Sequence, residues 1–333
     1  MSDRRLTIED IAKLSGVSRG TVSRVLNGNS NVKTETKEKV LKVIRRTGYS
    51  PQVYARRTAG AKSYTISIVL PMIGTDFYAR LIKGIEEKLH AEWHIPALFP
   101  ILSRERLVWL MKPDVPVYDY DGIILCSLVP ERLFPAGYFL SDKPVLLVDG
   151  FSPSYDSIYV DNFLGGYLAG NHLVKYDGPQ FIILMKEEKR GPFIEVFTDR
   201  LSGFTRAVTE KGGSLPQDHI FRHDLSMSAG SLALRDIVQK HGLPVNIFAT
   251  CDLYALGIIE EANRLGLRIR KDIRLVGFDD HEWTGELGIT TIHQPIEEMG
   301  RTAAELMLKR LQGDKSAVRN ICFKPELVIR DSA

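Results

Sequence analysis

Cysteine is scarce in this chain: Cys126, Cys251 and Cys322 are the only three in 333 residues. They are odd in number, far apart, and in no CxxC or comparable metal spacing. That excludes a disulfide scaffold or cysteine-built zinc module and leaves thiols in a core or pocket. Long apolar runs are missing too. No stretch of about 18 apolar residues could span a bilayer, and Met1-Ser2-Asp3-Arg4-Arg5 opens into no signal-peptide pattern, so a cytoplasmic protein is expected, with no membrane partner. Catalytic signatures are equally absent. His90 and His94 stand four apart on an expected helix but lack the H-E-x-x-H order. His219 and His223 share that spacing in an expected loop-to-strand region. Asp279-Asp280 has no nucleophile, histidine partner or phosphate loop beside it. No enzymatic activity, metal or cofactor is expected.

What is present suits a small module on a larger body. The length exceeds one typical domain, and a hydrophobic fraction of 44% supports a normal core. A net charge of +3 conceals an asymmetry. Residues 1–62 hold 14 Lys/Arg against 5 Asp/Glu, and the remainder 30 against 36. A basic head on an acidic body implies that only the head meets a polyanion.

Within the head, Leu6 to Leu14 reads as a short helix with Thr7 as N-cap, Asp10 completing a capping box, and Ile8, Ile11, Ala12 and Leu14 on one face. Ser15-Gly16-Val17 breaks it, Gly16 supplying the positive φ of a tight turn. Ser18 caps a second helix to about Leu26, with Val22, Val25 and Leu26 inward and Arg19, Thr21, Ser23 and Arg24 outward. Two short helices on a three-residue turn make a helix-turn-helix, whose second helix enters the major groove N-terminus first. Arg19 and Arg24 are forked donors suited to guanine O6 and N7, and Gly20 permits close approach. A third helix, Thr34 to Thr47, closes the core with Val40, Leu41, Val43 and Ile44. Its lysines and arginines are expected phosphate contacts.

The run Leu6 to Gly28 (LTIEDIAKLSGVSRGTVSRVLNG), with Thr36-x-x-x-Val40 and Gly48-Tyr49-Ser50-Pro51, resembles the headpiece of the lactose/galactose repressor (LacI/GalR) family. The resemblance implies base contacts at Arg19, Gly20 and Arg24, with Thr7, Ser18, Thr21, Ser23, Asn27 and Lys33 positioning the head on phosphates. Lys33 stands where the family often has a helix-capping serine, which would move the cap to Thr34. Residues 1–50 form the expected head and 51–60 a hinge. The resemblance implies that the hinge folds only on DNA, paired with its dimer mate in the minor groove, using Ala55 and Arg56. At Thr58 the family usually carries a leucine that wedges between base pairs. Threonine offers less apolar area, so a weaker kink is expected.

Beyond the hinge, apolar runs at 65–70, 122–126, 145–148, 181–185, 245–250 and 275–277 read as buried strands. They alternate with helical patterns near 76–90, 163–174, 200–211, 228–240, 253–264 and 295–312. That alternation gives an α/β body of doubly wound parallel sheets. The resemblance implies two lobes like those of periplasmic sugar-binding proteins: about 61–160 with 292–319, and about 161–291 with 320–333. Ligands of such sheets sit beyond the C-terminal strand ends. The resemblance places effector contacts at Asp149, at Arg200 (opening the Arg-x-x-Gly-Phe start of a helix) and at Asp279, with Cys251 at an effector position and Phe77 or Trp283 as aromatic covers. Asp252 reads equally as a structural cap. The charged run Lys186 to Arg190 stands where relatives have a short neutral loop, and could favour a charged ligand, fill the site or bend away into solvent.

The expected function is a homodimeric repressor on a pseudo-palindromic double-stranded operator, governed by a small-molecule effector such as a sugar. The alternative is control by a phosphocarrier-protein corepressor docking along Phe77 to Lys88.

Overall fold

The computed structural model describes residues 6–26, 32–47, 63–72, 74–110, 120–133, 143–186 and 194–333. The chain divides into two units, Met1–Ser63 and Tyr64–Ala333. Asn27, the hinge residues Ala55, Arg56 and Thr58, and 187–190 of the charged run lie outside the described residues.

In the first unit, α1 (Ile8–Ser15), α2 (Arg19–Leu26) and α3 (Thr34–Thr47) surround Ile11, Ala12, Val22, Val25, Val40 and Val43. The capping box forms as the sequence implies: Thr7 Oγ1 accepts the Asp10 N–H at 3.3 Å, and the Thr7 N–H donates to Asp10 Oδ2 at 2.8 Å. Gly16 ends α1 in the left-handed region at φ 63°. Two expectations need correction. Leu14 points outward at 48% exposure, and Ser15 is buried instead, its hydroxyl donating to the Ile11 carbonyl at 2.5 Å. The cap of α3 does not move to Thr34. That residue is already helical, and the Lys33 carbonyl accepts the Lys37 N–H at 3.0 Å.

The second unit contains two six-stranded sheets. The first is ordered β11-β5-β4-β3-β1-β2, from β1 (Thr65–Leu70), β2 (Ile95–Pro100), β3 (Gly122–Cys126), β4 (Val145–Val148), β5 (Asp156–Val160) and β11 (Asn320–Phe323), all parallel. The second is ordered β12-β10-β9-β8-β6-β7, from β6 (Gln180–Met185), β7 (Ile220–His223), β8 (Val245–Ala249), β9 (Ile273–Asp279), β10 (Thr290–His293) and β12 (Glu326–Val328). Only β12 runs antiparallel to its neighbour. The central strands β3 and β8 are buried throughout, which is why their sequences read as continuous apolar runs.

The chain crosses between sheets after Val160, after His293 and after Phe323. The expected assignment of 320–333 to the second lobe is therefore corrected for Asn320–Phe323, which pair with Ser157–Val160 of the first sheet. Cys126 and Cys251 are buried, but Cys322, on this edge strand, is exposed rather than a core thiol.

Helices cover both sheets. In the first lobe, α4 (Asp76–Ala91) packs on α12 (Ile296–Leu311). In the second, α7 (Asn162–Leu173) packs on α8 (Ile194–Glu210), and α9 (Met227–His241) on α10 (Asp252–Arg264). The α7–α8 contact is unusually close: a Cβ on Gly166 would overlap the Arg200 carbonyl, and one on Gly203 the Phe163 carbonyl. This reciprocal pair seats the Arg200 backbone against α7. Arg200 thus lies inside α8, not at the helix start expected from its sequence. His90 is in the last turn of α4, but the helix ends at Ala91, so His94 does not share its face.

Candidate nucleic-acid interface and interlobe cleft

The N-terminal end of α2 presents its polar side chains outward. Arg19, Gly20 and Arg24 are exposed, while Thr21 and Ser23 are half-buried. Ser18 Oγ accepts the Thr21 N–H at 3.2 Å and also meets Thr21 Oγ1 at 2.9 Å, which fixes the first turn. Arg24 Nε donates to the Gly20 carbonyl at 3.2 Å, and Arg19 stands 3.9 Å from Glu9. Both contacts are solvent-exposed and easily exchanged for another acceptor. Thr7 and Lys33 are exposed as well, although Thr7 Oγ1 is engaged by Asp10.

In the body, Phe77, Asp149, Arg200, Cys251, Asp279 and Trp283 all line one cleft between the sheets. They come from α4, from the C-terminal ends of β4, β8 and β9, from α8, and from α11 (Glu282–Glu286). Met72, Val196, Phe197, Leu225 and Leu253 add apolar wall, and the cavity is about 200 Å³. That is room for a small metabolite.

Two cleft carboxylates and the serine beside them are held in unusual backbone conformations. Ser127, Asp149 and Asp279, at or just past the ends of β3, β4 and β9, have φ of 53°, 56° and 118°. Such strain persists only where surrounding structure enforces it, and it clusters at functional sites. A hydrogen-bond chain fixes Asp149: Ser127 Oγ donates to Asp149 Oδ2 at 2.5 Å, so Tyr78 Oη must donate to Ser127 Oγ at 2.7 Å. Burial pushes the Asp149 carboxyl up to about 6, against the downward pull of Ser127 and Arg200. Its second oxygen, Oδ1, is buried without a hydrogen-bond partner among the described residues.

Arg200 is anchored on three sides. Nε donates to Asn162 Oδ1 at 2.8 Å, Nη1 donates to the Thr250 carbonyl at 2.5 Å, and the guanidinium lies 3.5 Å from the centroid of Phe278. Nη2 makes no hydrogen bond among the described residues. Asp279 Oδ1 accepts from Gln294 Nε2 at 2.5 Å and stands 4.0 Å from Arg200 Nη1. Burial raises the Asp279 carboxyl, opposed by Arg200 and His281.

The lobes touch across this cleft. Trp283 Nε1 donates to Asp76 Oδ2 at 2.7 Å, and buried His281 lies 3.9 Å from Asp76 and 3.7 Å from Asp279. Behind it, Arg80 pairs with Glu297 through two bonds of 2.8 and 2.9 Å, while its Nη1 donates to the Asp280 carbonyl at 2.9 Å.

Other expected residues lie elsewhere. Asp252 is structural: its carboxylate accepts from Thr291 Oγ1 at 2.7 Å and from the His281 N–H at 3.1 Å. Asp280 is engaged by Arg330 and His293. Lys186 is exposed, away from the cleft lining. Of the Phe77-to-Lys88 stretch, Tyr78, Leu81 and Ile85 belong to the core. Sequence reasoning missed Asp76, Tyr78, Ser127 and His281. Ser127 and His281 directly follow, or lie two residues beyond, strand ends, and that position was the available signal.

Residues 7–52 match the bacterial regulatory proteins of the lacI family, and residues 182–333 match the periplasmic binding protein-like domain. The HTH-type transcriptional repressor PurR of Vibrio vulnificus (strain CMCP6) is 30% identical over 334 residues, covering 98% of each chain. A probable transcription regulator from Thermus thermophilus of known crystal structure is 41% identical, with a TM-score of 0.70 over 80% of this chain and 97% of that one. A LacI family transcriptional regulator from Enterococcus faecium, crystallised with bound ribose, is 26% identical, with a TM-score of 0.67 over 81% of this chain and 98% of that one. With its helix-turn-helix head, its two-sheet body and these relatives, the chain belongs to the LacI family of bacterial DNA-binding transcription regulators, which are not enzymes.

Proposed function

We propose that the protein is a cytoplasmic homodimeric repressor whose operator affinity is set by a neutral polyhydroxylated metabolite, of the sugar class, held between the lobes. The observation that carries this reading is unmet polar capacity of both kinds among the cleft-lining residues: an acceptor, Asp149 Oδ1, is buried without a hydrogen-bond partner, as are Thr75 Oγ1 and His281 Nδ1, and a donor, Arg200 Nη2, makes no hydrogen bond among the described residues. A hydroxyl both donates and accepts, so a polyol satisfies both where a simple cation or anion satisfies one. Asp76, Asp149 and Asp279 outnumber Arg200, which disfavours a phosphorylated ligand. Phe77 and Trp283 offer faces for the C–H surface of a sugar ring. The ribose-bound Enterococcus relative supports the same ligand class.

One head spans one half-site, so two copies on a pseudo-palindrome are the economical arrangement. Arg19, Gly20 and Arg24 read bases in this scheme, and Ser18, Thr21, Ser23 and Lys33 set the register. Control by a phosphocarrier protein along Phe77 to Lys88 is disfavoured because the apolar residues there serve the core. Operator titrations with neutral monosaccharides and with their phosphates test the proposal. The neutral sugar shifts operator affinity and the phosphate does not; the reverse order contradicts it.

A further inference from the structure

At the N-terminal ends of the strands of the second sheet, away from the cleft, three metal-ligating side chains converge. Asp218 and His219 lie in a short 3-10 turn (Gln217–His219) leading into β7, and His241 is the last residue of α9. One ligand atom from each lies within 4.8 Å of the others. The turn and the helix end are 22 residues apart in sequence and meet only through the fold.

Ring packing accounts for part of this arrangement. Phe181 lies against both imidazoles, with centroids 4.3 Å from His219 and 4.9 Å from His241. Packing does not account for the polar atoms. His241 Nε2 is buried with no hydrogen-bond partner among the described residues, a costly state for a polar atom. His219 Nδ1 lies 2.9 Å from the Gln180 carbonyl, which can only accept, so Nδ1 carries the proton and Nε2 keeps its lone pair. A backbone carbonyl holding the far nitrogen is the usual support of a metal-binding histidine.

We propose that Asp218, His219 and His241 form a site for a borderline divalent transition ion, with Zn²⁺ as the representative case and solvent as the remaining ligand. Two imidazoles and a carboxylate match zinc and its neighbours and not calcium or magnesium, which require oxygen shells. Ligand atoms on one tetrahedral zinc are about 3.4 Å apart. Closing from within 4.8 Å to that spacing takes side-chain rotation, and the Asp218 side chain is exposed. An ion there ties the entry of edge strand β7 to the end of α9, and satisfies His241 Nε2.

The test is calorimetric titration of ZnCl₂ into the full chain after EDTA treatment and desalting, with MgCl₂ as control and Co²⁺ as a spectroscopic probe. The wild type binds one Zn²⁺ per chain, ignores Mg²⁺, and gives the visible bands of nitrogen- and oxygen-coordinated Co²⁺. Asp218→Asn, at an exposed position, keeps the circular dichroism of the wild type and weakens Zn²⁺ binding about tenfold or more. His219→Gln abolishes it. Absence of one-to-one Zn²⁺ binding by the wild type overturns the proposal, as does binding that both substitutions leave unchanged.

Discussion

Trp283 and Asp76 join the two lobes at the mouth of the cleft: the indole Nε1–H of the second lobe donates to a carboxylate of the first at 2.7 Å. The bond is charge-assisted but reachable by solvent, so it contributes about 0.5–1.5 kcal/mol to the closed arrangement. Trp283→Phe keeps an aromatic face and loses only the donor. Effector affinity measured by calorimetry should fall about three- to tenfold. An unchanged Kd would show that lobe closure does not depend on this contact.

Asp149 gives the unliganded protein a defined pH response. Its folded carboxyl titrates near 6, above the ordinary aspartate value of about 3.9, because burial disfavours the charge. The folded state therefore binds the proton more tightly than the unfolded state. This group's contribution makes stability fall as pH rises from about 4 to about 6, and the resulting penalty is full above pH 6. Asp149→Asn removes it, and should raise stability at pH 7.5 by about 3 kcal/mol with little change at pH 4. Chemical denaturation at the two pH values checks this; equal increments, or a loss at pH 7.5, would mean that the carboxylate is compensated by groups around it.

The α7–α8 contact carries Arg200, so its glycines should be intolerant. Gly166→Ala drives a methyl into the Arg200 carbonyl. The helices must part, and stability should fall by about 2–4 kcal/mol. Gly285→Ala is the control, since an added Cβ there meets nothing within 4 Å. Urea midpoints of the two variants should differ clearly. Equal midpoints would show that the α7–α8 pair relaxes freely.

In the head, Arg24→Ala should cost about 1–3 kcal/mol on the operator and relax preference among bases, whereas Lys33→Ala should weaken all sequences alike. Fluorescence anisotropy with cognate and scrambled duplexes separates the two. A uniform loss for Arg24→Ala would reassign it to phosphate contact.

The parts legible in the sequence are those whose physics is local. The capping box of Thr7 and Asp10 and the left-handed turn at Gly16 are set within a few residues. Strands β3 and β8 are apolar on both faces and are recognisable from runs such as Ile123 to Cys126. Edge strands are harder to read. β2, Ile95 to Pro100, carries two prolines and an exposed Ile95, and β11 is half exposed. The first turns of α8 hold Val196, Phe197 and Thr198, poor helix formers, and the burial of Val196 and Phe197 overrides that propensity. The sequence pattern placed Asp149 and Asp279 at strand ends, but set Arg200 at a helix start where the structure has it inside α8. It could not reveal the Tyr78–Ser127–Asp149 relay, which closes across 49 and 22 residues.

The proposed effector is a neutral polyol in the cleft lined by Asp149 and Arg200. Calorimetric titration of the full chain with sugars, sugar phosphates and nucleosides, repeated on Asp149→Asn, tests it most directly. The expected result is one neutral sugar bound per chain and a substantial loss of affinity in a variant that remains folded. Binding confined to phosphorylated ligands, or sugar binding that Asp149→Asn leaves intact, would contradict it.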